Sequence, residues 1–182
     1  MVQDRLNSAG HRPPTDSDGD SHGGSHGDSE VARESRHLLA DLWAIEEIKR
    51  LKARYCRFVD TKRWDDLADL FVAAASIELP EVRQDPFSYE EWLGLLTSGW
   101  SELVSVHHAH LPEIVITGDG SAEGLWAMND AVFHPPHDPA APGGVDRRSG
   151  FGYYAETYAY EESWRIETMR LTRLRTSWSG SS

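Results

Sequence analysis

LVSVHHAHLPEIVITGDGSAEGLWAMNDAVFH, residues 103–134, alternates apolar and polar side chains on both sides of Gly118-Asp119-Gly120. A period of two is the pattern of a strand, and a Gly-Asp-Gly cluster between two such runs marks a turn. The same period continues through GFGYYAETYAY (150–160) and WRIETMRLTRLR (164–175). The C-terminal part of the chain is therefore predicted to be a series of antiparallel strands. The stretch HPPHDPAAPGGVDRRSG (134–150) interrupts them as a long Pro/Gly loop, of a length that often carries function.

Upstream of residue 102 the period is helical. Leu42, Ile45, Ile48, Leu51, Tyr55 and Phe58 recur at spacings of three and four, and Glu46, Glu47, Lys49, Arg50 and Lys52 fill the other side. This predicts an amphipathic helix ending near Asp60. TKRWDDLADLF (61–71) reads as a second, short helix, with Phe71 on its apolar side. SIEL (76–79) runs into Pro80 and reads as a short edge strand. Ser88 and Glu91 form a capping-box pattern ahead of a third helix, EEWLGLLTSGW (90–100). The fold class is then α+β: a cone-shaped, curved antiparallel sheet (a half-barrel) with three N-terminal helices enclosing a pocket. Trp92, Trp100, Trp126 and Trp164 are candidates to line that pocket or to fill the core.

Composition bounds the function. The 182 residues favour one domain. Residues 1–37 are rich in His, Gly, Ser and Asp and nearly free of large apolar side chains, which predicts a disordered tail ahead of a folded domain at 38–178. Its SHGGSHG run, with His22 and His26, is at most a weak metal binder. A net charge of −12 disfavours nucleic acid and anionic membrane surfaces as partners. The single cysteine, Cys56, rules out an internal disulfide, and no apolar run is long enough to span a membrane. A cytoplasmic protein is expected.

Three sets of residues carry candidate chemistry. Asp60 stands where the first helix ends, and the macrodipole disfavours a negative charge there by a few tenths of a kcal/mol unless a partner compensates. It either meets a group such as histidine or caps the next helix. In the second set, His108 and His110 share one strand face and His107 takes the other. The first pair with Glu113 would give a metal centre, but HExxH and cysteine-based zinc spacings are absent. One histidine held by a carboxylate would instead be a general base. Asp130, on the strand face of Trp126 and Met128, is either a buried acid with a raised pKa or a strand-end carboxylate in water.

AIEEIKRLKARYCRFVDTKRWDDLADLF (44–71), SVHHAHLPEIVITGDGSAEGLWAMND (105–130) and GYYAETYAYEESWRIETMRLTRLR (152–175) together resemble the SnoaL-like proteins. These belong to the nuclear transport factor 2-like, or cystatin-like, superfamily, with scytalone dehydratase and ketosteroid isomerase. The likeness covers most of residues 41–175 and is nearest to the bile acid 7-alpha-dehydratases. They share a helix ending in Tyr-x-x-x-x-Asp, a histidine ahead of Pro-Glu-Ile, and a strand with Trp-x-x-x-Asp. The resemblance implies a site of Tyr55, Asp60, His107, Asp130 and Arg173. It also implies no metal, no organic cofactor, a small hydrophobic substrate, and a homo-oligomer (trimer or dimer). The activity it implies is dehydration of a carbonyl-activated, hydroxylated polycyclic substrate, steroid-like, bile-acid-like or polyketide. Isomerisation or cyclisation on the same pocket, or binding without turnover, are its neighbours.

Overall fold

The computed structural model describes residues 26–135 and 147–179. Helix α1 spans His26–Asp60 and is followed by a short α2, Trp64–Ala68. Strands β1 (Phe71–Glu78) and β2 (Phe87–Ser88) lead into α3, Tyr89–Gly99. Four long strands complete the chain: β3 (Val104–Gly118), β4 (Ser121–Phe133), β5 (Arg147–Glu161) and β6 (Ser163–Ser179). They form one open, curved six-stranded sheet of order β2-β1-β6-β5-β4-β3. The α+β architecture read from the sequence is thus the one observed. The β3–β4 hairpin turns at Gly118-Asp119-Gly120, where Gly120 takes a φ of 79° that a side chain would resist.

Several local expectations are corrected. Residues 26–37, expected to be disordered, are the first turns of α1. From Ser29 to Trp43 the helix is exposed and its Leu42 is not part of the core. VARESRHLLADLW is rich in good helix formers, and propagation onto a packed helix needs no burial of its own. Helix α2 stops at Ala68, so Phe71 begins β1 and is buried as a strand residue. The sheet is not wholly antiparallel, because β1 pairs with β6 in parallel. Arg147–Gly150, placed in the long loop, are the start of β5, while residues 136–146 lie outside the described residues. The capping box is present as expected: Glu91 N–H donates to Ser88 Oγ and the Glu91 carboxylate accepts from Ser88 N–H.

Lys52 is the largest departure. It was placed on the solvated side of α1, yet it is 1% exposed and ion-paired with Glu156 of β5, itself 0% exposed. The helix rotates Lys52 between Ile48 and Tyr55, which are both core residues. Its ammonium sits 3.5 Å from the Tyr154 ring centroid and 4.2 Å from that of Tyr55. Glu156 also accepts from Tyr158 Oη, which in turn accepts from Trp126 Nε1 at 2.8 Å. A fully buried charge with this many partners is tolerable; the same charge alone is not. Lys52→Met is expected to destabilise the fold by roughly 3–5 kcal/mol in urea unfolding, because Glu156 is left buried without its cation. Adding Glu156→Leu to that variant is expected to recover most of the loss.

Candidate active site

Asp60 closes α1 with its carboxylate turned toward β3. His107 donates its backbone N–H to Asp60 Oδ2 at 2.9 Å, and His107 Nδ1 lies 2.6 Å from Oδ1. Ser105, two residues earlier on the same strand face, donates its hydroxyl to Oδ1 at 3.0 Å. Lys62 then donates to Ser105 Oγ at 2.9 Å. The charge that the helix C-terminus disfavours is thus met by three donors from one strand. Asp60 is no helix cap: α2 is preceded by Arg63, with no side-chain cap bond. Burial lowers the Lys62 pKa, and the nearby Asp60 charge offsets part of that.

The His107 ring is covered on one face. Trp100, at the end of α3, stacks on it with centroids 5.9 Å apart and planes at 20°. With Nδ1 committed to Asp60, Nε2 faces the other way, 4.0 Å from Asp130 Oδ2. Asp130 is the β4 partner of His107 in register and is 2% exposed, not a strand-end carboxylate in water. Arg173 of β6 grips it through both terminal guanidinium nitrogens, Nη1 donating to Oδ1 at 2.8 Å and Nη2 to Oδ2. Arg173 Nε also lies 3.2 Å from Glu81.

Two features of the sheet let Arg173 reach across β5. A bulge slips the β5–β6 register between Thr157 and Tyr158, so that β6 faces inward at Trp164 and Ile166 before it and at Met169, Leu171 and Arg173 after it. Gly150 then leaves the space that the guanidinium occupies: a Cβ there would collide with Arg173 Nη1 and stand 2.8 Å from Asp130 Oδ1.

Beside these groups lies a cavity of about 390 Å³. This is within the range of small-molecule sites, about 300–1,000 Å³. Its walls include Val59, Trp92, Leu96, Trp100, Met169 and Leu171, and Tyr55, His107 and Arg173 also face it. Asp60 and Asp130 are not part of the wall; Asp60 lies on the Nδ1 side of His107 and Asp130 4.0 Å from Nε2. Burial, and then the neighbouring Tyr154, push the Tyr55 phenol well above its ordinary pKa, so it remains a donor at neutral pH. Of the tryptophans, Trp92 and Trp100 line the cavity, while Trp126 and Trp164 belong to the core.

His108 and His110 lie on the opposite face of β3, exposed, their rings stacked 5.9 Å apart and both bonded to Asn129. Among the described residues no three His, Cys, Asp or Glu side chains gather as a metal-holding group, so Glu113 does not complete one with them.

The pattern of SnoaL-like domains matches residues 40–170. This chain belongs to the SnoaL-like domain family. A curated relative, "Probable cyclase FGR4" of Gibberella zeae, is 24% identical over 138 residues, covering 70% of this chain and 89% of that one. Among solved structures, the Kfla4162 protein of Kribbella flavida superposes with a TM-score of 0.66 at 18% identity, over 74% of this chain and 93% of that one. A protein of Novosphingobium aromaticivorans named "Putative Scytalone Dehydratase" gives 0.65 at 16% identity, over 78% and 91%. The LinA-type3 hexachlorocyclohexane dehydrochlorinase of Novosphingobium barchaimii gives 0.64 at 12% identity, over 78% and 93%. These likenesses establish the SnoaL-like fold. Among the described residues no helix is long and apolar enough to cross a membrane.

Sequence reasoning did not single out Ser105, Tyr154 or Arg148. Ser105 was discoverable, since it precedes His107 by two on an alternating strand. The packing of Gly150 supplies a test of this SnoaL-like site. Gly150→Ala is expected to push Arg173 off Asp130 and to cost about 1–3 kcal/mol in denaturant unfolding. At Gly94 in α3, where nothing lies within 4 Å of the added Cβ, the same change is expected to stabilise by roughly 0.5–1 kcal/mol.

Proposed function

We propose that this SnoaL-like protein is a cofactor-independent dehydratase, with His107 as the base that opens the reaction. The observation that carries the reading is the 2.6 Å Asp60–His107 contact behind a ring that faces a largely apolar cavity. Asp60 accepts the Nδ1 proton and fixes the tautomer, so Nε2 presents its lone pair toward the cavity. A carbon acid next to a carbonyl loses its proton to Nε2 and becomes an enolate. The imidazolium so formed lies between Asp60 and Asp130, two carboxylates that stabilise it. The enolate then expels a β-hydroxyl, which takes the proton back from Nε2 and departs as water. One C–H and one C–O bond break, and one C=C bond forms.

Tyr55 donates a hydrogen bond to the enolate oxygen or the departing hydroxyl. Asp130 supports the charge rather than delivering a proton, because both of its oxygens accept from Arg173. The substrate that suits this wall is a carbonyl-bearing, hydroxylated polycyclic molecule: a steroid or bile-acid-like compound, or a polyketide. The name of the Gibberella relative keeps cyclisation in view, since ring closure would begin from the same base and the same enolate.

Incubation with a panel of hydroxylated steroid and polyketide carbonyl compounds tests the proposal, with loss of one water followed by mass spectrometry. His107→Ala is expected to lower turnover by about a hundred- to ten-thousand-fold. Asp60→Asn keeps the shape but removes the charge, and is expected to fall in the same range. Turnover that survives His107→Ala would overturn the assignment of the base.

A further inference from the structure

Arg148 is the arginine on the cavity wall that the reaction above does not use. It is the second residue of β5 and alternates inward with Gly150, Gly152 and Tyr154. Its Nε is buried with no hydrogen-bond partner among the described residues, and no described carboxylate is in ion-pair contact with it. Its neighbours are already committed: Asp130 fills the fork of Arg173, and Glu81 lies on Arg173 Nε. Burial and the positive charge of Arg173 lower the Arg148 pKa, and Asp130 and Glu81 only partly offset them. A buried guanidinium donor without an acceptor costs free energy that the folded chain alone does not recover.

We propose that Arg148 is the specificity residue of the cavity and that the natural substrate carries a carboxylate which this guanidinium receives. The apolar wall holds the substrate's ring system, and the fork takes its acid group as a charge-assisted, two-pronged pair. This places the substrate among hydrophobic organic acids, not neutral ketones. An enolate oxygen alone would not serve as well, because it exists only during turnover and leaves Arg148 without a partner in the resting complex. The inference rests on reading the cavity as the substrate site, and it deepens that reading without depending on His107 as base.

Isothermal calorimetry with naphthalene-2-carboxylate and its carboxamide separates the possibilities, because the two share a shape and differ in charge. The wild-type protein is expected to bind the acid about tenfold or more tightly than the amide. Arg148→Met is expected to erase that preference while leaving amide binding unchanged, and Arg148→Lys to retain part of it. Equal affinity for acid and amide in the wild type would overturn the proposal, as would failure to bind the acid at all. So would a preference that survives Arg148→Met. Should Arg148→Met not fold, the wild-type comparison and Arg148→Lys decide alone, and a preference undiminished by lysine counts against the two-pronged pair. His107→Ala is expected to keep the acid preference in full. Acid preference without dehydration therefore defeats the catalytic proposal and leaves this one standing, and dehydration without acid preference does the reverse.

Discussion

The constraint on which the site depends is a carboxylate at the wrong end of a helix. Asp60 ends α1, where the helix carbonyls already present partial negative charge, and its side chain is turned inward. Left alone it would destabilise the last turn. Strand β3 resolves the conflict with a backbone N–H, an imidazole and a hydroxyl, all from Ser105 and His107. The same three contacts pin α1 to β3, hold the His107 ring at one angle, and choose which of its nitrogens faces the cavity. One set of hydrogen bonds thus holds both the end of the helix and the orientation of the ring.

A second carboxylate, Asp130, lies beyond the same ring and must also be kept in an apolar setting. The chain solves this with a cation brought across a strand. That requires a bulge between Ile166 and Thr168 to change the facing of β6 ahead of Arg173, and a residue without a side chain at position 150. Neither feature would be needed for the sheet itself, and the bulge interrupts its ladder. Buried charges elsewhere follow the same rule: Lys52 and Glu156 are paired, flanked by the rings of Tyr55 and Tyr154, and bonded onward to Tyr158.

The sequence displayed those features whose signal is periodic. Alternation through residues 103–134 announced the hairpin, placed His107 opposite His108 and His110, and set Asp130 on a strand face. The Tyr55 and Asp60 spacing at the end of a helical stripe, read with the family resemblance, marked the other half of the site. What stayed hidden depends on distance contacts that no local pattern encodes. Lys52 looked like a solvated lysine because its partner is Glu156, on another element. Arg173 was reached only through the resemblance, since its facing depends on a bulge that slips the phase of β6. Composition predicts disorder for the early turns of α1 because it reports burial, and that part of the helix buries little.

The arrangement of charge around His107 carries one more implication. A neutral imidazole in this site touches Asp60 and lies 4.0 Å from Asp130; Arg173 pairs with Asp130, and Lys62 reaches Asp60 through Ser105. Taking a proton adds a positive charge between the two carboxylates. The charge that the proposed base step creates therefore appears beside carboxylates that need not rearrange, because Arg173, Ser105 and Trp100 hold the partners in place. Preorganised charge of this kind lowers the cost of the step in which charge appears, which is where an enzyme gains most from fixed dipoles and ions. The apolar wall contributes by excluding the water that would otherwise screen those interactions. It is the contrast between a rigid, charged rear face and a hydrophobic front that makes proton removal from a weak carbon acid physically reasonable here.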